Sequence, residues 1–280
     1  MGTPFQFSGS TAVITGAASG IGEALAHALA ARGTNLVLTD IDPEGLQRVA
    51  DALASNEIKV IHQAMDVCDP QAPIDLAERT KAELGGASLV FNNAGIAVGG
   101  TFDRVKTDDF DRVLDVNFNA VVRMSRAFLP QMKEQTQAQL INISSIFGVI
   151  APPGQTAYSA SKFAVRGFSM ALAHELDGSN VGVTVVHPGG VNTSIAESAI
   201  KPEDMTEAEL AAMRETAKKS LVMPPAEAAE IILRGVERRR RRVLVGRDAH
   251  TIAILERLFP VRYIKILARF FGPGLGEPEK

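Results

Sequence analysis

Seven short runs rich in β-branched residues recur along the chain, and the helix-like segments between them restrict its fold more than any other feature does. The runs are TAVITG (11 to 16), NLVLTD (35 to 40), KVIHQAMDV (59 to 67), SLVFNNAG (88 to 95), QLINISS (139 to 145), VGVTVVHPG (181 to 189) and RVLVG (242 to 246). Between them, IGEALAHALAARG places Leu25, Ala28 and Leu29 on one face and ends at Gly33, while FAVRGFSMALAHEL repeats Ala164, Phe168, Leu172 and Leu176 at intervals of four. Apolar residues at such spacing mark helices that bury one face. Strand, helix, strand repeated in this way needs right-handed crossovers, so the expected class is α/β, a doubly wound parallel sheet of about seven strands with helices on both faces. A chain of 280 residues with 46% hydrophobic side chains can bury one large core, and residues 1–250 are expected to form a single domain. Within it, a loop of about 190–225 opens with VNTSIAES and carries the helical pattern TEAELAAMRETAKK.

The residues able to do chemistry cluster at one end of this pattern. Gly16 follows the first run, Asp40 ends the second, Asp66 the third, Asn92 and Asn93 the fourth, Ser145 the fifth and Pro188-Gly189 the sixth. All are carboxyl ends, outside which an open parallel sheet forms its ligand crevice. The first turn, TGAASGIGEALA, has glycines at 16, 20 and 22. Between a strand and a helix such a turn lets backbone N–H groups approach a pyrophosphate, although the spacing is not GxGxxG and glycines often serve tight turns alone. Asp40, eighteen residues after Gly22, stands where a ribose 2′-hydroxyl would be held. Its plainer role, capping the helix that starts near Pro43, suits Asp42 better.

One of only two tyrosines lies in AYSASKFAVRGF, four residues before a lysine. On a helix, Tyr158 and Lys162 then share a face. A free tyrosine has a pKa of about 10, and lowering it by about three units takes roughly 4 kcal/mol, which one positive charge about 4 Å away supplies at an effective dielectric near 20. Lys162 is therefore expected to make Tyr158 a usable acid/base. Tyr-x-x-x-Lys also occurs as a solvated pair in many helices, and a serine ending a strand is usually a turn or cap residue.

Taken together, TGAASGIG, NNAG, Asn117, Ser145, Tyr158-Ser-Ala-Ser-Lys162 and Pro188-Gly189 resemble the short-chain dehydrogenase/reductase family, in order and spacing, over residues 8 to about 246. The resemblance implies a Rossmann-like sheet, a nicotinamide dinucleotide and a catalytic tetrad of Asn117, Ser145, Tyr158 and Lys162. It implies that Gly16, Ser19, Gly20, Ile21 and Gly22 enclose the cofactor, with Asp66 and Val67 at the adenine and Asn93 and Lys162 at ribose. Val191 and Thr193 are implied at the nicotinamide amide. By the same resemblance Ser145 polarises the substrate oxygen, with neighbouring Ser144 as its rival, and Asn117 bends its helix and holds a proton-relaying water. Asp40 would repel the extra phosphate of NADP, so NAD is the expected cofactor. Sugar-nucleotide epimerases and dehydratases on a related fold generally resemble TGxxGxxG, which the glycines here do not match. A nucleotide-sensing module should have lost Tyr158 or Lys162.

Phe147, Val149, Ile150, the AVGG segment and Ile195, Ile200, Met205, Met213 and Met223 make the expected pocket walls mostly apolar. A hydrophobic secondary alcohol or ketone is thus expected rather than a sugar. The net charge of −3 gives no reason to invoke nucleic acid, and the lone Cys68 cannot form an internal disulfide. His27, His62, His174, His187 and His250 show no metal-ligand spacing and read as structural. With no basic-then-apolar leader at the N-terminus, a cytoplasmic location is expected. Residues 234 to 269 are different, carrying eleven Arg or Lys against Glu237, Asp248 and Glu256. Residues 251–280 read as an amphipathic C-terminal extension, with Arg262, Lys265 and Arg269 along one helical face. The favoured reading is a helix packed on the domain or on another subunit of a dimer or tetramer; the other is a helix lying on a membrane surface.

Overall fold

The computed structural model describes residues 3–54 and 57–271, with the side chains of residues 269–271 excepted. Residues 1–2 of the expected domain and 272–280 of the extension, with the side chain of Arg269, lie outside the described residues. Seven parallel strands form one sheet in the order β3-β2-β1-β4-β5-β6-β7. They are β1 (Thr11–Thr15), β2 (Asn35–Asp40), β3 (Val60–Ala64), β4 (Leu89–Asn92), β5 (Ala138–Ile143), β6 (Val181–Pro188) and β7 (Arg242–Val245). Every strand expected from the sequence is present. Register is set around β1, where Val13 lies opposite Val37 on one side and Val90 on the other.

β1 and β4 are buried along their whole length, as strands covered on both faces must be. Ala12 and Ile14 point into a core shared with Leu25 and Leu29 of α1 (Gly20–Ala30), Leu46 of α2 (Pro43–Leu53), and Ile232 and Leu233 of α8 (Pro225–Glu237). Val13 and Val90 point the other way, to Leu76 of α3 (Ala72–Leu84) and Met124 and Phe128 of α5 (Ala120–Lys133). α6 (Thr156–Glu175) packs on that second layer through Leu172. Because the chain leaves β1 toward β2 and returns toward β4, helices diverge at that point and open a crevice at the strands' carboxyl ends.

Local chemistry explains the helix starts. The Asp42 carboxylate accepts from the backbone N–H of Glu44 and Gly45, both at 3.1 Å, and Pro43 stands where no N–H is needed. In the long loop, α7 (Glu207–Ser220) begins with a capping box between Thr206 and Glu209 and buries none of its residues. The helix that Asn117 was expected to bend is interrupted at that residue: α4 (Thr107–Leu114) passes into a π-helical turn at Asp115–Asn119 before α5. After β7, α9 (Arg247–Leu258) and α10 (Tyr263–Phe271) fold back, and Ala249, Ala253 and Leu267 bury Ile146, Val149 and Ile150. The extension therefore packs on the domain. No helix among the described residues is long and apolar enough to cross a membrane.

Candidate active site

The glycine turn between β1 and α1 is shaped by backbone geometry that side chains oppose. Gly16 and Gly20 have φ of +67° and +58°, and a Cβ on Gly22 would overlap the Gly16 carbonyl oxygen. Ser19 precedes α1 without making a side-chain cap bond, so the first N–H groups of the helix face the crevice. Ile21 anchors that turn against the core below, and the Thr193 methyl lies 3.1 Å from where a Cβ on Gly20 would be. Asn93 donates to the Thr15 and Gly16 carbonyls, both at 3.0 Å, and so braces the turn from β4. Asn92 is buried and donates to Asn142 Oδ1 at 2.8 Å, inside the sheet rather than in the crevice.

Asp40 is fixed at the crevice edge. One carboxylate oxygen accepts from the Ala18 N–H at 2.9 Å and the other from the Asp42 N–H at 3.1 Å. Further along, Asp66 accepts from the Cys68 N–H at 2.9 Å and lies 3.7 Å from Arg112, with Val67 buried beside it. At the other end Val191 is buried and bridges to Met223.

The four residues of the tetrad come together at the carboxyl ends of β4 and β5. Ser145 Oγ accepts from the Phe147 N–H at 3.1 Å and stands near enough to the Tyr158 hydroxyl to favour its ionised form. Ser144 turns inward instead and donates to the Lys162 carbonyl at 2.8 Å, which leaves Ser145 as the hydroxyl facing the crevice. The Lys162 ammonium is buried, donates to the Ile143 carbonyl at 3.1 Å and lies 5.6 Å from the centre of the Tyr158 ring. A Cβ on Gly95 would sit 3.3 Å from that ammonium and 3.2 Å from Asn117 Oδ1. Asn117, fully buried in the π-helical turn, accepts from the Ile96 N–H at 2.9 Å and donates to the Ile96 carbonyl and Ser161 Oγ, both at 3.0 Å. The register slip of the turn aims this side chain across to β4 and α6.

The electrostatics correct one expectation. Burial pushes the Tyr158 hydroxyl above its ordinary pKa, and Ser145 only partly opposes it. Burial also pulls Lys162 down to about 8. Lys162 does not offset that burial: its ammonium points to the Ile143 carbonyl, 5.6 Å from the centre of the phenol ring, and both groups have lost their hydration. Lowering Tyr158 needs a further positive charge in the crevice.

Four positioning contacts were missed by sequence reasoning. His187, fully buried on β6, faces the Ser145 carbonyl at 2.9 Å through Nδ1; a carbonyl only accepts, so Nδ1 carries the hydrogen. Asp248, in the first turn of α9, accepts from the Gly190 N–H at 2.7 Å and thereby fixes the turn leading to Val191. The Tyr263 hydroxyl accepts from the Ala151 N–H at 3.0 Å. Arg48 donates to the Ala18 carbonyl at 2.9 Å and pairs with Glu23 at 2.6 Å, so this cation beside the glycine turn is already committed. Each lies far in sequence from its partner, and none belongs to a motif.

The family model described as short chain dehydrogenase matches residues 10–204. SadH of Mycobacterium tuberculosis, a provisionally named oxidoreductase, is 38% identical over 265 residues, which cover 94% of this chain and 95% of that protein. The chain belongs to the short chain dehydrogenase family. It is an oxidoreductase, and the doubly wound sheet is that family's fold. Oxidoreductase UcpA of Escherichia coli is a further relative, 35% identical over 81% of this chain and 87% of its own. Among solved structures, a short chain dehydrogenase/reductase from Burkholderia phymatum in complex with NAD superposes with a TM-score of 0.84 at 32% identity, covering 91% of this chain and 95% of that one. Within the family's terms, the match to SadH runs past the end of the family model, so it includes part of the C-terminal region that packs on Ile146–Ile150.

Proposed function

We propose that this short chain dehydrogenase interconverts a hydrophobic secondary alcohol and its ketone, using NAD(H). The observation that carries the reading is the Ser145–Tyr158 hydroxyl pair at the crevice, backed by Lys162 and Asn117. NAD suits the residues present: an uncapped helix N-terminus for the pyrophosphate, Asp40 for the ribose diol, and no uncommitted cation at Arg48 for a further phosphate. Gly16, Ser19, Gly20, Ile21 and Gly22 would hold the diphosphate, Asp66 and Val67 the adenine, Asn93 and Lys162 ribose hydroxyls, and Val191 and Thr193 the carboxamide.

When bound, the dinucleotide supplies or accepts the hydride, and its oxidised ring brings the positive charge that Tyr158 needs. Ser145 donates to the substrate oxygen and fixes its position. In reduction Tyr158 gives that oxygen its proton; in oxidation the phenolate takes the hydroxyl proton back. Lys162 stabilises the phenolate, and Asn117 ties the Ile96 backbone, after β4, to the Ser161 hydroxyl of α6 beside the ammonium. The flanking Phe147 ring stands edge-on to Tyr158 with centroids 6.1 Å apart, giving the pocket an apolar wall. Exposed Phe163 and Met170 on α6 favour a homo-oligomer, which with a cytoplasmic location completes the reading.

Oxidation of NADH with a panel of hydrophobic ketones of graded size tests it. Turnover that rises with apolar size and fails for sugars is expected. Tight NADH binding without turnover of any ketone would make the chain a sensing module instead.

A further inference from the structure

The turn between α9 and α10 has the composition of a membrane-docking tip. Residues 257–262 read Arg-Leu-Phe-Pro-Val-Arg, and all six are exposed. Val261 is 90% exposed, Leu258 65% and Phe259 46%, while Ile254, one helical turn before Leu258, is 60% exposed. Four large apolar side chains are thus exposed within eight residues, at the end of α9 and in the turn that follows. Burial against the domain is complete without them, since Ala249, Ala253 and Leu267 fill the contact with Ile146, Val149 and Ile150. An exposed group of this kind marks a contact surface.

Charge decides what it fits. Arg257 and Arg262 flank the apolar residues and Lys265 follows on α10, all exposed. Among the described residues none of the three takes part in a salt bridge, not even Arg257 with neighbouring Glu256. The chain as a whole carries −3, so this cationic region sits on an otherwise acidic molecule. A second copy paired symmetrically at this turn would bring like charges together, whereas an anionic bilayer offers both acyl chains for the apolar residues and headgroups for the cations.

We infer that the α9–α10 turn docks the enzyme on an anionic lipid surface, with Ile254, Leu258, Phe259 and Val261 entering the interface and Arg257, Arg262 and Lys265 held at the headgroups. The tip is tied to the pocket wall through Tyr263 and Ala151, six residues after Ser145. Docking would bring the crevice to the bilayer, where a hydrophobic alcohol or ketone concentrates; that consequence rests on the function proposed above, while the binding itself does not.

The test is cosedimentation of the full-length protein with vesicles of phosphatidylcholine, alone or mixed with phosphatidylglycerol, at low and high salt and without substrate. Binding to the mixed vesicles only, weakened at least about tenfold by high salt, is expected. Leu258→Asp with Val261→Asp should abolish it, and Arg257→Gln with Arg262→Gln and Lys265→Gln should remove its salt dependence. Light scattering should show the same oligomer for all three proteins, and turnover of a water-soluble ketone should be unchanged. Absence of vesicle binding by the wild type overturns the inference, as does a change of oligomer in Leu258→Asp with Val261→Asp, which would make the turn a subunit contact. Point changes are needed because truncation before α9 would also uncover Ile146, Val149 and Ile150. Ketone turnover without vesicle binding would refute docking and leave the proposed reaction standing; vesicle binding without turnover would do the reverse.

Discussion

Tyr158 and Lys162 are each expensive to place where they stand. Burial raises the phenol, lowers the ammonium to about 8, and neither shift is relieved by the other group. The pair is therefore poised for a ligand that brings positive charge, and the two residues should fail differently when changed. Tyr158→Phe is expected to lower kcat by about 10²- to 10⁴-fold with NADH affinity nearly unaltered, because the ring stays and only the titrating oxygen goes; stopped-flow turnover and fluorescence titration read the two quantities separately. Lys162→Ala should weaken both. At the other end of the crevice, Asp40→Ala removes the charge that opposes a 2′-phosphate. The ratio of kcat/KM for NADH over NADPH should then narrow by about tenfold or more, equivalent to about 1.4 kcal/mol. Tyr158, Lys162 and Asp40 were legible in the sequence because their chemistry is tied to a fixed spacing or a strand end. His187, Asp248 and Tyr263 were not, since each acts through one backbone group that only the folded chain brings near.

At the scale of elements, the close approach of α1 to β1 is what gives the crevice its floor. Gly22 has its Cα hydrogen where any side chain would strike the Gly16 carbonyl and the Asn93 amide. Gly22→Ala should cost about 1–3 kcal/mol of stability by overpacking, and it should weaken NADH binding out of proportion, because α1 can yield only by moving its N–H groups off the pyrophosphate. Thermal unfolding with and without NADH checks both. All seven strands and the capping of α2 by Asp42 could be read from pattern, for they depend on local spacing and turn chemistry, whereas the capping box of α7 was not read from it. A bend at Asn117 was implied by the family resemblance alone; the π-helical form of the turn was not readable from pattern. Its sequence, DVNFN, continues the apolar spacing of a regular helix, and the slip follows from Asn117 satisfying Ile96 and Ser161, partners 21 and 44 residues away.

For the molecule as a whole, one buried group couples the site to acid stability. His187 is held neutral, its pKa pulled down to about 4 by burial, with the charges of Arg242 and Arg166 acting in the same direction against the Ser145 carbonyl bond. Between about pH 4 and 6.5 the unfolded chain binds a proton there that the folded chain does not, so stability falls as pH drops through that window and levels off below it. The ceiling is about 3 kcal/mol. His187→Asn, which keeps an N–H for the Ser145 carbonyl, should flatten urea-derived stability against pH across that window by up to about one proton. The sheet and its crevice were legible at this scale too, whereas the place of the C-terminal helices was not, because their packing depends on which face of Ile146–Ile150 the rest of the fold leaves bare. Those helices hold the pocket at two separated points, Asp248 at Gly190 and Tyr263 at Ala151. Both amides lie in loops, where protection against hydrogen exchange is ordinarily slight, yet each can exchange only when its helical clasp lets go. If α9 and α10 open as one cooperative unit, the two amides share a single opening free energy. Tyr263→Phe should then speed exchange at Ala151 directly and at Gly190 by transmission, and a cofactor resting on the Val191 turn would slow both: a clock on the far side of the pocket that reports when it is filled.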